Sequence, residues 1–152
     1  MERIASFEVN HLILKEGIYL SRIDGDVYTY DLRLRVPNGD DYLENAAIHT
    51  AEHLFATYVR NSEFKDNIIY FGPMGCRTGF YFLVKDLSGE QVIALCRRAF
   101  AFIAGYDGDI PGASAVECGN YLDHDLEGAK RDAERYLKVL DGYTADRLSY
   151  AK

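Results

Sequence analysis

The alternation of hydrophobic and polar residues predicts a β-hairpin near the start of the chain. Gly17 to Ile23 is typical of a strand, and Asp24-Gly25-Asp26 is a hairpin-turn sequence. The next stretch, from Val27 to Val36, places its apolar residues on one face and its polar residues on the other. The apolar face comprises Tyr28, Tyr30, Leu32, Leu34 and Val36, and the polar face Thr29, Asp31, Arg33 and Arg35.

A helical pattern follows the turn Pro37-Asn38-Gly39 and runs to about Arg60. Apolar residues recur at helical spacing, at Ala47, Ala51, Leu54 and Tyr58, and are expected to face inward. Asp41 and Glu44 resemble a capping box just before this stretch. We therefore predict an amphipathic helix that follows the second strand and ends near Arg60.

The second half of the chain has the pattern of two further strands and two further helices. Strands are predicted from Asn67 to Phe71 and from Phe80 to Val84. Ser88 and Gln91 form a capping-box sequence for a helix through Ile103. A last helix is predicted from about Asp125 to Leu140, with Gly142 as its stop signal, after a loop that contains residues 105–112. The opening segment, residues 6–14, is predicted as extended or irregular chain.

This order of elements predicts an α+β fold, in which helices pack on one face of an antiparallel β-sheet. No linker, repeat or low-complexity tract interrupts residues 1–152, so we predict one domain over the whole length. A composition of 48% hydrophobic and 27% charged residues is typical of a globular domain.

The net charge excludes some classes of binding partner, and the cysteine content indicates the cellular compartment. The formal net charge of −7 makes nucleic acid and anionic membranes unsuitable partners. No apolar run approaches the ~20 residues that span a bilayer, and the N-terminal residues lack a signal-peptide pattern. Three cysteines in such a chain predict free thiols in a reducing compartment, and we expect the cytoplasm.

The segment His49-Thr50-Ala51-Glu52-His53 is the candidate centre of the chemistry. It has the form H-x-x-E-H, the inverse of the zinc motif H-E-x-x-H. Histidines four residues apart on a helix lie on one face and can bind the same metal ion. Glu52 would then stand beside that ion as an acid or base. The competing interpretation is a pair of ordinary helix histidines next to a carboxylate.

The three cysteines differ in their surroundings. Cys76 lies between glycines, in the turn Gly75-Cys76-Arg77, where its side chain can be exposed as a reactive thiolate or buried in a loop. Cys118 is a candidate third metal ligand, and a site of two histidines and one cysteine suits Zn²⁺ or Fe²⁺ with one position open. Cys96 lies among apolar helix residues and is predicted to belong to the core.

Two histidines and one arginine have ordinary interpretations as well as functional ones. His11, in the first segment, is equally explained as a loop histidine with a local hydrogen bond. Arg33 lies on the polar strand face, which is typical of a solvated or ion-paired position. His124 precedes the last helix and is predicted to be a surface residue.

Several segments together resemble the S-ribosylhomocysteine lyase family, the enzymes of autoinducer-2 synthesis. They occur in order over almost the whole chain and are specific as a set. The segments are Ser6-Phe7-Glu8-Val9-Asn10-His11, Tyr30-Asp31-Leu32-Arg33, His49-Thr50-Ala51-Glu52-His53, Pro73-Met74-Gly75-Cys76-Arg77-Thr78-Gly79, Cys118-Gly119 and His124-Asp125-Leu126-Glu127-Gly128-Ala129-Lys130.

The resemblance implies a set of roles for these residues. His49, His53 and Cys118 would bind one Fe²⁺ per subunit, with Zn²⁺ or Co²⁺ as substitutes. Cys76 and Glu52 would be the acid–base catalysts. The reaction implied is cleavage of the thioether of S-ribosylhomocysteine, through carbonyl migration along the sugar by way of enediolates and then β-elimination. The products would be homocysteine and 4,5-dihydroxypentane-2,3-dione.

The resemblance also implies a substrate pocket and an assembly. Ser6, His11 and Arg33 would line the ribose pocket, in a homodimer whose active sites lie at the subunit interface. Two places depart from the family pattern: Asn10 stands where an Asp is expected, and Tyr70-Phe71-Gly72 replaces Asp-Ile-Ser. The second departure lies near the amino-acid end of the expected substrate.

Two other functions remain open from the residues alone. Inverted H-x-x-E-H motifs also occur in metallopeptidases, which are larger chains that have no need of Cys76. A non-catalytic module stabilised by a metal is the other alternative. Metal removal distinguishes it, because loss of a structural metal unfolds a domain.

Overall fold

The computed structural model describes residues 1–151, which form a four-stranded sheet and four α-helices. In chain order the elements are α1 (Ala5–Glu8), β1 (Gly17–Asp24), β2 (Val27–Arg33), α2 (Asn45–Arg60), β3 (Ile68–Pro73), β4 (Gly79–Lys85), α3 (Gly89–Ala104) and α4 (Leu126–Leu140). Short 3₁₀ turns occupy Lys65–Asn67 and Ala145–Arg147.

The sheet is antiparallel throughout, with strand order β1-β2-β4-β3. The predicted hairpin joins β1 to β2, with Asp24 paired to Val27 and Gly25 at a φ of +63°. A left-handed backbone at the first turn residue suits glycine, which explains the turn sequence. Strand β4 then pairs with β2, so that Gly79 lies opposite Arg33.

The three long helices and one face of the sheet share a hydrophobic core. Alternate strand residues face the helices, including Ile18, Tyr30, Leu32, Phe80 and Phe82, all at most 2% exposed. Helices α2, α3 and α4 contribute residues to the same cluster, among them Leu54, Phe55, Leu95, Phe100 and Tyr136. The predicted α+β architecture is therefore confirmed. The short α1 packs near β1, where Ser6 shares a cavity with Ser21 and Tyr81.

The helix signals of the second half are confirmed in detail. At the start of α3, Ser88 and Gln91 form both hydrogen bonds of a capping box. Asp125 caps α4 by accepting a hydrogen bond from the backbone N–H of Gly128. Cys96 is fully buried, as predicted. No helix within residues 1–151 is both long enough and apolar enough to cross a bilayer.

The prediction that the alternating strand continues to Val36 is wrong. Strand β2 ends at Arg33, because the backbone N–H groups of Leu34 and Arg35 both donate to the carbonyl of Thr78. The chain turns there, and Val36 is 46% exposed. The third strand is also displaced from its predicted range and extends from Ile68 to Pro73.

Two predictions for the helix starts are wrong as well. The capping box expected from Asp41 and Glu44 does not form, because α2 begins at Asn45 and Glu44 makes no side-chain capping bond. The Asp41 carboxylate instead accepts a hydrogen bond from Arg135 at 2.6 Å. In the opening segment, predicted as extended or irregular chain over residues 6–14, one helical turn forms at Ala5–Glu8.

Candidate active site

Helix α2 presents His49 and His53 on the same face, one turn apart, as their spacing predicts. The Nδ1 atom of His49 lies 2.7 Å from the carbonyl oxygen of Asp123, and that of His53 lies 2.8 Å from the carbonyl oxygen of Pro111. A carbonyl can only accept, so each Nδ1 carries the hydrogen and donates it. The lone pair of each ring is then on Nε2, the form in which histidine binds a metal.

The connection between α3 and α4 brings Cys118 to these histidines. Its Sγ lies 3.4 Å from Nε2 of His49, although the two residues are far apart in sequence. The backbone N–H of Asn120 donates to the same sulfur at 3.4 Å. The three residues expected to hold a metal are thus brought together.

A fourth residue, His124, belongs to the same cluster, so its prediction as a surface residue is wrong. One ligand atom from each of His49, His53, Cys118 and His124 lies within 4.8 Å of the others. The Nδ1 of His124 lies 2.9 Å from the hydroxyl of Thr50, which also accepts from the backbone N–H of Asp125. Its Nε2 is buried and has no hydrogen-bond partner within residues 1–151. A buried nitrogen of this kind is costly unless another group is bound there.

The relative orientations of the three imidazole rings determine which nitrogens can bind the same ion. His124 is stacked on His49, with 4.0 Å between centroids and 19° between planes. Because imidazole binds metals in the plane of its ring, the stacked rings of His49 and His124 direct their nitrogens along separate, nearly parallel planes. His53, by contrast, is perpendicular to His49. These four side chains are the candidate ligands of one divalent ion, and the stacking sets His124 apart from the other three.

The surroundings of His124 favour its neutral form. Burial lowers the pKa of this histidine, with further contributions from His49 and His53. A weak sequence signal for its position existed, because His124 directly precedes Asp125, the residue that caps α4.

A glycine allows the loop to approach His53. Gly112 has a φ of +72°, and a Cβ there would lie 3.3 Å from Nδ1 of His53. Because it follows Pro111, whose carbonyl binds that nitrogen, both its backbone conformation and its lack of a side chain serve the contact.

The turn between β3 and β4 exposes Cys76, the second candidate reactive group. Its Sγ lies 3.0 Å from the hydroxyl of Thr78. That hydroxyl accepts a hydrogen bond from Nη1 of Arg33 at 2.8 Å. The thiol is therefore linked to a cation through one hydroxyl group.

Arg33 is held by a buried ion pair with Asp31. Its Nε and Nη2 donate to the two carboxylate oxygens at 3.0 and 2.6 Å, and the residues are 3% and 0% exposed. A paired, two-point contact of this kind fixes the direction of the guanidinium. The polar strand face is thus ion-paired and buried at this point.

The remaining expected residues lie in other places. Glu52, on α2 between the two histidines, is half-buried, and its carboxylate forms no hydrogen bond with residues 1–151. Ser6 lines a cavity of about 280 Å³ that Tyr70 also lines. His11 is half-buried, and its Nδ1 lies 2.8 Å from the carbonyl of Val9. Within residues 1–151 no hydrogen bond joins Ser6, His11 or Cys76 to the histidine cluster.

The departure at Tyr70-Phe71-Gly72 is internally consistent. The phenol of Tyr70 lies over the Cα of Gly72, where a Cβ would collide with it. A tyrosine at position 70 in this orientation leaves room only for glycine at position 72. The two departures from the family pattern are therefore sterically compatible with each other.

Comparison with known families matches residues 4–145 to the S-ribosylhomocysteinase (LuxS) family. The chain belongs to this family. S-ribosylhomocysteine lyase of Desulfotalea psychrophila is 48% identical over 157 residues, covering 99% of each chain. Those of Clostridium acetobutylicum and Borreliella burgdorferi are 46% and 43% identical over 156 residues, again with 99% of each chain covered.

The LuxS match includes every residue expected at the site. Ser6, the first of them, and Cys118, the last, both lie inside residues 4–145, as does His124. Residues 146–152 lie beyond the part that the LuxS match covers. The relatives named above carry the name of a lyase, which sets them apart from the peptidase alternative.

Proposed function

We propose that this chain is an S-ribosylhomocysteine lyase, which converts its substrate to homocysteine and 4,5-dihydroxypentane-2,3-dione. The observation that carries the proposal is LuxS membership over nearly the whole length. The cluster of imidazole and thiol groups fits the same function, because a lyase acting on a sugar needs a site for negative charge on oxygen.

The proposed metal is Fe²⁺, one per subunit, held by His49, His53 and Cys118, with Zn²⁺ or Co²⁺ as possible substitutes. Two neutral imidazoles and a thiolate suit these ions and leave an open position. When bound, the ion supplies a Lewis acid that stabilises negative charge on the sugar oxygens. The Nδ1 hydrogen bonds to backbone carbonyls orient both histidines for this task.

Cys76 is the proposed group that moves protons between neighbouring sugar carbons. Its thiolate would remove the proton from the hydroxyl-bearing carbon next to the carbonyl and deliver it to the former carbonyl carbon. The hydroxyl proton passes to the former carbonyl oxygen, so the carbonyl moves one carbon along the chain. The Thr78 hydroxyl, which accepts from Arg33, can turn its own hydrogen towards Sγ and stabilise the thiolate.

Glu52 is the proposed base of the elimination step. With the carbonyl at C3, its carboxylate would take the proton from C4. The C–H electron pair forms the C4–C5 double bond, the C5–S bond breaks, and the sulfur leaves with its electrons and gains a proton. A half-buried carboxylate without a hydrogen-bond partner in residues 1–151 is free to accept that proton.

Ser6, His11 and Arg33 are the proposed lining of the ribose pocket. Arg33 is suited to this role because its ion pair with Asp31 fixes its orientation. Tyr70 shares the cavity of Ser6, and we expect the amino-acid end of the substrate to approach that side.

We further propose a cytoplasmic homodimer with active sites at the interface. Large apolar side chains are exposed both in the N-terminal segment and in the connection that carries Cys118; these are Ile4, Phe7, Leu12, Val116 and Leu122. Contact with a second copy would bury them and could bring the groups of the site together. Sedimentation at twice the 17.2 kDa chain mass supports this assembly, and a monomer at assay concentration contradicts it.

The direct test is thiol release from S-ribosylhomocysteine by anaerobically prepared, Fe²⁺-loaded protein. Cys76→Ala should abolish release while the bound metal stays in place. Cys96→Ala is the matched control, because that thiol is buried in the core and should leave turnover intact. Absence of release from folded, metal-loaded wild-type protein would overturn the assignment.

A further inference from the structure

The C-terminal tail returns to the sheet and places Tyr150 on the buried pair Asp31–Arg33. The phenol of Tyr150 donates a hydrogen bond of 2.7 Å to Oδ2 of Asp31. Its ring stacks on Tyr19 of β1, with 5.0 Å between centroids and 15° between planes.

A continuous series of hydrogen bonds leads from this phenol to the exposed thiol. Asp31 accepts from Tyr150 and from two nitrogens of Arg33. The third nitrogen of that guanidinium, Nη1, donates to Thr78 at 2.8 Å, and the Thr78 hydroxyl lies 3.0 Å from Sγ of Cys76.

The direction of each bond follows from the groups involved. Arginine can only donate, and an ionised carboxylate can only accept. The Thr78 oxygen accepts from Arg33, and its single hydrogen can donate to Cys76 when that residue is a thiolate, which can only accept. Burial and the nearby charge of Asp31 raise the pKa of Tyr150, which keeps the phenol a donor.

The carboxylate at the centre of the series has no access to water as a substitute partner. Asp31 is 0% exposed, Arg33 3% and Thr78 2%. When the phenol is removed, Oδ2 of Asp31 loses one donor, and the full charge of the carboxylate then pulls on Arg33 alone. A guanidinium drawn towards Asp31 forms a weaker hydrogen bond with Thr78. The contact between the Thr78 hydroxyl and Cys76 is then less well fixed.

We propose that Tyr150 is a positioning residue for the Cys76 thiolate, acting through Asp31, Arg33 and Thr78. The effect on turnover rests on the proposed function, whereas the effect on thiol reactivity does not. The C-terminal tail thereby takes part in the active site although it lies far from Cys76 in sequence.

The test compares Tyr150→Phe with Tyr19→Phe. The first variant keeps the ring and its stacking and removes the hydroxyl that binds Asp31. The second removes the hydroxyl from the other ring of the same stack, where it donates only to the carbonyl of Lys15. Two quantities are measured: the rate of Cys76 alkylation by iodoacetamide at fixed pH, followed by peptide mass analysis, and kcat and KM for thiol release.

We expect Tyr150→Phe to slow alkylation of Cys76 and to lower kcat, each by about three- to tenfold, with KM nearly unchanged. Tyr19→Phe should match the wild type in both. Equal alkylation rates in Tyr150→Phe and the wild type would overturn the proposal. A loss of thermal stability with unchanged alkylation and turnover would also overturn it, because Tyr150 would then have only a structural role. If the wild type releases no thiol, the alkylation result still decides the role of Tyr150.

Discussion

At the scale of single residues, the chemistry of the metal cluster depends on which nitrogen of each histidine carries hydrogen. The spacing of His49 and His53 predicts a shared face, and the sequence also offers Cys118 as a candidate third ligand. The carbonyls that fix the tautomers could not be predicted, and for His124 the only signal was a weak one, its place directly before the helix cap Asp125. Both features depend on the path of residues 105–125, which have no periodic pattern to reveal where the chain turns back.

The stacking geometry distinguishes His124 from the proposed ligands. Replacement of His49 by Ala should weaken Co²⁺ binding by more than ~100-fold, whereas His124→Ala should weaken it by less than about tenfold. Titration followed by the visible absorption of Co²⁺ measures both. Loss of Co²⁺ binding in His124→Ala to the same extent as in His49→Ala would contradict the expectation that His124 borders the ion without binding it.

At the scale of secondary-structure elements, periodicity predicts the strands and helices well and their ends less well. Ser88 and Gln91 are a local signal for the start of α3, and that signal holds. The end of β2 depends on the Thr78 carbonyl, and the expected cap at Asp41 is lost to an ion pair with Arg135. Both are long-range contacts, and a local pattern carries no information about them.

The loop that covers α2 provides a prediction at this scale. Gly112→Ala should weaken metal binding, because the positive φ and the contact with Nδ1 of His53 both oppose a side chain there. Gly108→Ala is the matched control, since Gly108 also has a positive φ, +119°, but open space around it. Both variants should lose stability, by roughly 1 kcal/mol, and Gly112→Ala alone should lower metal affinity. Equal affinities would contradict the account.

At the scale of the whole molecule, the sheet has an apolar face towards the helices and a second face with buried charges. The alternation in β2 predicts which residues lie on each face. It could not predict that Asp31 and Arg33 are buried, because the groups that contact them are distant in the sequence. Tyr150 from the C-terminal tail is one of them.

Buried ionisable groups predict how the stability of the fold depends on pH. Burial raises the pKa of Tyr136 well above its ordinary value of 10.0 and also raises the pKa of Cys96. Both groups stay protonated in the fold and ionise first in the unfolded chain. Their contribution to stability is therefore complete below about pH 8 and is lost as the pH rises through the values of the unfolded chain, about 8.5 for cysteine and about 10 for tyrosine.

Urea unfolding at pH 8 and at about pH 10.5 measures this loss. The free energy of unfolding should fall between the two values, and the fall should be smaller in Tyr136→Phe. That variant also loses the hydrogen bond from its phenol to the carbonyl of Gly17, at both pH values. Tyr121→Phe, at a 41% exposed position, should behave as the wild type. An identical fall in Tyr136→Phe and the wild type would refute the prediction.

The central claim, that the chain breaks the C–S bond by elimination, is tested most directly by the identity of the sugar product. Fe²⁺-loaded protein is incubated with S-ribosylhomocysteine, and the mixture is treated with 1,2-phenylenediamine, which traps adjacent dicarbonyls. The account predicts trapped 4,5-dihydroxypentane-2,3-dione in an amount equal to the homocysteine released, and neither product with Cys76→Ala. Release of homocysteine together with free ribose would show hydrolysis and contradict the account.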